Sequence, residues 1–384
     1  MLLGTTLIIV IASIVGIFKL EVENSFINYF DKETEIYKGM KKIDDDLGGT
    51  TPLNVIIRFP TKQVDKNDDD EFSEWDEDVE NKEDKAKYWF TRDKMDKILK
   101  VHDYLDSLPE IGKVLSFGSI LRVAEDLNKK ELQSLEIAVL YSKIPEEIKN
   151  EIISPYISVD DDEARISVRI KDSLENLRRN DLIKKISNEL NTKLGLDKNE
   201  YKLAGVLILF NNLLQSLFKS QILTLGIVML GIFAMCLILF RNVTLSFIGV
   251  VPNFIAAFFI LGIIGLMGIP LDMMTITIAA ITIGIAVDNS IHYIYRFKEE
   301  FKKINNYNKT LDRCHSTVGI AILNTSITIV FGFSILILSN FIPTIYFGFF
   351  TGIAMLLAMI SVLTLLPRLL LIYKPFGEEV DKLI

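Results

Sequence analysis

The sequence predicts an α-helical membrane protein with six transmembrane helices and an α+β ferredoxin-like domain set between the first and second. Three observations predict it. Residues 206–373 are apolar almost throughout, in runs that reach the roughly 20 residues needed to span a bilayer. Residues 19 to about 205 are polar and acid-rich, and strand-like and helix-like segments alternate along them. The short loops between the apolar runs sort cleanly by charge.

These patterns divide the chain into a first transmembrane helix (1–18), a water-facing domain (19–205), a connector helix (206–220), a five-helix membrane domain (221–373) and a tail (374–384). The net charge of −8 argues against nucleic acid as a partner, because phosphate recognition requires a basic face. Both cysteines, Cys236 and Cys314, lie in or beside the apolar region, so no disulfide framework holds the polar domain. There is no CxxC pair and no His/Cys cluster with metal-ligand spacing, and no cofactor is expected. The phosphate loop GxxxxGK[ST] is missing from the chain, so ATP-driven work within it is not expected.

The opening stretch "LLGTTLIIVIASIVGIF" (2–18) has no basic residues before it and no small-x-small cleavage site after it. It reads as a membrane anchor rather than a cleaved signal. Five further spans are expected over 221–240, 243–266, 271–295, 318–339 and 343–372. The loops at 241–242 and 296–317 and the tail after Tyr373 carry Arg and Lys, whereas "LMGIPL" (266–271) and "SNFIPT" (339–344) carry none. The positive-inside rule then places both termini in the cytoplasm and the polar domain outside. Within 296–317, Phe297, Phe301 and Ile304 suit either a helix lying on the inner membrane surface or a plain loop helix.

In the polar domain, strands are expected at 53–59, 112–117, 164–170 and 201–206. Helices are expected at 91–108, with Thr91 as cap, and at 174–194, ending at Gly195. Two successive β-α-β sets make a split βαβ pattern, with a helical insertion at about 119–153. The acidic stretch 64–84 lacks the glycine that a calcium loop starting at Asp65 would need at its sixth position, and it reads as a solvated loop.

The span at 271–295 contains one anomaly. "GIAVDNSIHYIYRF" (284–297) places Asp288, with Asn289 beside it and His292 one turn on, deep in an apolar run. A charge near the bilayer centre costs at least about 2.5–3.5 kcal/mol. Burial raises a carboxyl pKa and a cation or donor lowers it, so an acid balanced between the two can take up a proton on one side and release it on the other. Proton-coupled transport is one reading; a carboxylate tying two helices is the other. Gly284, one turn earlier on the same face, would let another helix approach. Thr325 and Ser326, in "GIAILNTSITIVFGF" (319–333), are hydroxyl candidates for Asp288, or else bond their own backbone. His292 is either a proton entry group or an interfacial histidine.

The stretches "TIAAITIGIAVDNSIHYIYRFKEE" (277–300), "GFSILILSNFIPTIYFGFFTGIAM" (332–355), "LTLLPRLLL" (363–371) and "VENSFINYFDKETEIYKGMKKIDDDLGGTTPLNVII" (22–57) resemble the RND superfamily, in its MMPL or hydrophobe/amphiphile exporter branch. The resemblance implies a proton-motive-force-driven exporter of hydrophobic or lipidic molecules in the cytoplasmic (inner) membrane. It also implies a sterol-sensing-like arrangement of the last five helices and a porter-type external domain, with Asp288 matching the proton-carrying acid. Asn289 stands where many relatives carry a second acid or a tyrosine, and Val362 where they often carry a polar residue. Family members have two such halves, and this chain resembles the second. A partner half is therefore expected, as a separate subunit or a second copy, unless the chain is a truncated product. A lipid-sensing scaffold and a protein-translocation accessory subunit are the other functions this superfamily's fold allows.

Overall fold

A computed structural model describes residues 2–22, 27–59, 89–174 and 177–379. The acidic stretch 64–84 singled out above lies outside the described residues, and the calcium reading with it. The chain forms two compact units. One comprises Glu35–Asn212 with Ile27; the other comprises the N-terminal helix, Asn28–Thr34 and the chain from Leu213 on.

The first unit begins with α2 (Glu35–Asp46), β1 (Thr51–Arg58) and α3 (Arg92–Asp106), followed by β2 (Ile111–Leu115), α4 (Phe117–Asn128) and α5 (Ser134–Lys143). The short β3 (Ile157–Ser158), β4 (Glu163–Ile170), α6 (Arg179–Thr192) and β5 (Tyr201–Ala204) complete it. The sheet order is β2-β4-β1-β5, antiparallel throughout, with β3 added to β4. Alternation along β1 buries Leu53, Val55 and Ile57, and along β4 it buries Ala164, Ile166, Val168 and Ile170. Met95, Ile98, Val101 and Leu105 of α3 and Leu182, Ile186 and Leu190 of α6 complete that core. The strand expected at 112–117 ends two residues early. Ser116 turns extended and accepts from the Gly118 amide, which starts α4. Thr91 occupies the N-cap position of α3 but makes no side-chain cap bond.

In the second unit, α1 (Leu2–Ile17) is 16 residues long, about 24 Å, and so is shorter than a full bilayer span. Among the described residues, five helical stretches are long and apolar enough to cross a membrane. They are α7 (Val206–Phe240), α8 (Val243–Leu266), α9 (Ile278–Ile304) with its leading turn, α10 (Tyr307–Cys314) running through a π turn into α11 (Ile320–Ser334), and α12 (Ile342–Tyr373). The connector expected at 206–220 is the start of α7, one helix of 35 residues.

Helix α1 is held by backbone contact. A Cβ on Gly16 would stand 2.0 Å from the Gly262 carbonyl oxygen, and one on Gly262 would stand 2.5 Å from Ser13 Cα. Small residues let helix backbones meet in lipid, where apolar surface alone gives no preference for helix over tail. Gly16→Ala and Gly262→Ala are therefore expected to cost about 1–3 kcal/mol each. Gly4→Ala, with nothing within 4 Å, should not destabilise the protein. Thermal unfolding in detergent compares the three.

The segment 296–317 differs from both of its expected forms. Helix α9 runs straight on to Ile304 and stops where Asn305 turns left-handed, at φ 51°. Phe297 and Phe301 are buried among Tyr307, Leu366 and Leu370 instead of lying on a membrane surface. Only α10 is a separate short helix, capped by Asn306, and it buries Tyr307, Thr310 and Cys314.

Candidate functional site

Helix α9 is the scaffold of the candidate site. It is preceded by a 3-10 turn, Thr275–Thr277, which Asp272 caps. The Asp272 carboxylate accepts from the Met274 and Thr275 amides, each at 2.8 Å, and Thr275 Oγ1 accepts from the Asp272 amide. Asp272 therefore satisfies backbone donors at the start of the span. From Thr275 to Asp288 is thirteen residues, about 20 Å of rise.

Gly284, Asp288 and His292 recur at a spacing of four and so share one face. That face points away from the unit's own core. The Asp288 and His292 side chains are 71% and 65% exposed, and a Cβ on Gly284 would meet nothing within 4 Å. Asp288 Oδ1 lies 3.4 Å from His292 Nε2, an ion pair when the imidazole is protonated. Asn324, Thr325 and Thr328 of α11 are exposed as well.

The structure pairs the remaining candidates differently from the expectation that hydroxyls serve Asp288. Ser326 Oγ accepts from Asn289 Nδ2 at 3.4 Å, joining α11 to α9. Thr325 Oγ1 donates to its own helix, to the carbonyls of Ala321 at 3.0 Å and Ile322 at 3.1 Å. Asp288 is thus brought together with His292 and Asn289 with Ser326, while Thr325 satisfies itself. Val362 is buried against Leu366 and Ile294, so the position compared with the relatives' polar residue belongs to the core.

Sequence reasoning missed the opposite face of α9. Asn253 of α8 donates to Ser290 Oγ at 3.0 Å and to the Gly249 carbonyl at 3.0 Å, inside the bundle. The signal was present in "VVPNFIA" (250–256), an amide directly after Pro252 in an apolar run. Also unforeseen is an apolar groove of about 1030 Å³ between α1, α7 and α8, lined by residues such as Val10, Ile14, Gly226, Phe233, Phe247 and Phe258. None of its lining residues carries a charge or a polar side-chain group.

The sequence model of the MMPL family matches residues 35–380. The chain belongs to the MMPL family. Two relatives bear on this MMPL chain. MJ1562 of Methanocaldococcus jannaschii, named as a membrane protein, is 32% identical over 154 residues, which is 40% of this chain and 40% of that protein. The hopanoid transporter HpnN of Burkholderia multivorans is 28% identical over 114 residues, which is 28% of this chain and 12% of that protein. The matches thus cover well under two thirds of either relative.

Proposed function

We propose that this MMPL protein is one half of an RND-type exporter of hydrophobic or lipidic molecules, driven by the proton gradient, with Asp288 as the intramembrane proton carrier. The observation that carries the reading is the exposed Asp288–His292 pair in the apolar part of α9. A carboxylate cannot face lipid tails cheaply, so this face calls for a polar neighbour beyond the unit's own helices. A second half, a separate subunit or a second copy, supplies it. Asp288 then passes protons, His292 feeds them in from the cytoplasmic side, Asn289 and Ser326 hold α9 against α11, and Gly284 admits the partner helix. Thr325 stays in the relay only as a bystander on the same face of α11.

The competing reading, an acid that merely ties two helices, finds less support, because its ion-pair partner stands on the same helix. The wholly apolar groove supports a hydrophobic cargo, and the hopanoid transporter among the relatives points the same way. The strand order β2-β4-β1-β5 supports a ferredoxin-like, porter-type domain outside the cytoplasmic membrane. With α1 counted as a sixth span and both termini cytoplasmic, the charged loops all fall inside.

Reconstitution tests this directly. In liposomes carrying an imposed pH gradient, the protein is expected to move a fluorescent lipid only while the gradient lasts. Movement that ignores the gradient removes the proton-driven reading. The partner face has its own test. With Cys236 and Cys314 replaced, Gly284→Cys labelled with a benzophenone maleimide should photocrosslink to the partner helix in native membranes. The size of the product distinguishes a second copy from another subunit, and a monomer alone removes the partner.

A further inference from the structure

Hydroxyls in the membrane helices of this protein usually satisfy themselves. Ser13, Ser246, Thr325, Thr328, Ser334 and Thr364 each donate to a carbonyl of their own helix, at 2.6–3.0 Å. Thr282 of α9 and Thr351 of α12 do not. Both are fully buried, and neither hydroxyl has a protein partner among the described residues. The same holds for Asn253 Oδ1 and for the Tyr293 hydroxyl. Turning the Asn253 amide over would leave an unpaired N–H instead.

The Asn253, Thr282 and Thr351 atoms belong to one seam, whereas the Tyr293 ring packs against His315 of the π turn. Ala256 of α8, Ala286 of α9 and Ala358 of α12 pack together as a small buried cluster. On α9, Thr282 stands one turn before Ala286 and Ser290 one turn after it. On α8, Asn253 precedes Ala256 by three residues and bonds Ser290, which fixes it on the same side of the alanine layer. On α12, Thr351 precedes Ala358 by two turns, and α12 runs parallel to α9, so Thr351 and Thr282 share the other side. Pro252 adds to the need, since it cannot donate to the carbonyl of Ile248.

We propose that this seam between α8, α9 and α12 is an internal water site, with ordered water bonded to Asn253 on one side of the alanine layer and to Thr282 and Thr351 on the other. A buried polar atom without a partner costs about 1–3 kcal/mol, and three of them beside one three-helix contact call for an occupant. The donor set decides its class. It holds amide and hydroxyl groups and no carboxylate, so it suits a neutral molecule that both donates and accepts rather than a metal cation. Water bridging two to four such groups is the occupant that fits between close-packed helices. Ala286 and Ser290 lie about 160–200° around the helix from Asp288, so α9 would carry polar contacts on both faces.

The test uses the full chain in detergent. Thr282→Val and Thr351→Val are close to isosteric. If water bonds the hydroxyls, each variant loses those bonds, and Tm should fall by about 2 °C or more. If the hydroxyls are dry and orphaned, removing them should leave Tm unchanged or raise it, and that overturns the proposal. Hydroxyl-radical footprinting in ¹⁸O water gives a second readout on the unmutated chain. Met355, one turn after Thr351 on α12, is as buried as Phe350. Modification of Met355 several-fold faster than Phe350 supports the site, and equal slow rates overturn it.

Discussion

Asp288→Asn is expected to abolish gradient-driven export while leaving the protein folded. The asparagine keeps the shape and polarity of the side chain and cannot exchange a proton. Positioned proton-transfer groups contribute about 10²–10⁴-fold, so lipid movement under a pH gradient should drop at least about 100-fold. Folding should survive because the side chain is 71% exposed within its unit and its ion-pair contact is with His292, on the same helix. The change in stability should stay within about 0.5 kcal/mol, as for other exposed substitutions. Transport and thermal unfolding of one preparation measure both quantities. Export by Asp288→Asn that still follows the gradient would remove the acid as carrier. His292→Gln should slow proton entry without abolishing export, because on the proposed topology water can also reach Asp288 from the cytoplasmic side.

The largest expected loss of stability lies in the other unit. Arg179 donates through Nε to Asp172 Oδ1 at 3.0 Å and through Nη2 to the same oxygen, and both side chains are buried. Thr51 Oγ1 and the Ile27 amide also donate to this carboxylate. Arg179→Ala leaves a buried carboxylate without its cation, which costs about 3–5 kcal/mol. Arg122→Ala, which breaks an exposed pair with Asp103, should cost at most about 1 kcal/mol.

The neighbouring Asp44 adds a pH signature. Burial pushes its carboxyl up, but hydrogen bonds from Ser173, the Asp172 amide and Thr50 outweigh that and hold it below the ordinary aspartate value. A depressed folded pKa means the stabilisation is present above the unfolded value of about 3.9 and is lost as pH falls through the folded value. The Tm difference between wild type and Asp44→Asn should therefore be full at neutral pH and shrink below about pH 4.

Much of this was legible in the chain. The apolar runs, the β-α-β alternation and the lone acid at Asp288 each depend on local composition and period, which a sequence displays directly. The strand at 112–117 was read too long because Ser116 is compatible with both a strand and a helix cap. Capping is settled by which amide the hydroxyl meets. For the segment 296–317 neither a surface helix nor a plain loop helix anticipated the buried continuation of α9, because Phe297 and Phe301 look the same whether they face lipid, water or a core.

Sequence alone determined that this protein is a membrane protein of the MMPL type with a polar domain in its first half, since hydrophobic length and motif order are one-dimensional properties. Tertiary structure alone decided that Asp288 faces outward with His292, that Ser326 serves Asn289, and that Asn253, Thr282 and Thr351 are buried without full partners. Those facts depend on how each helix is rotated about its axis. That rotation is set by neighbours distant in the chain, such as the alanines of α8 and α12 packed against Ala286.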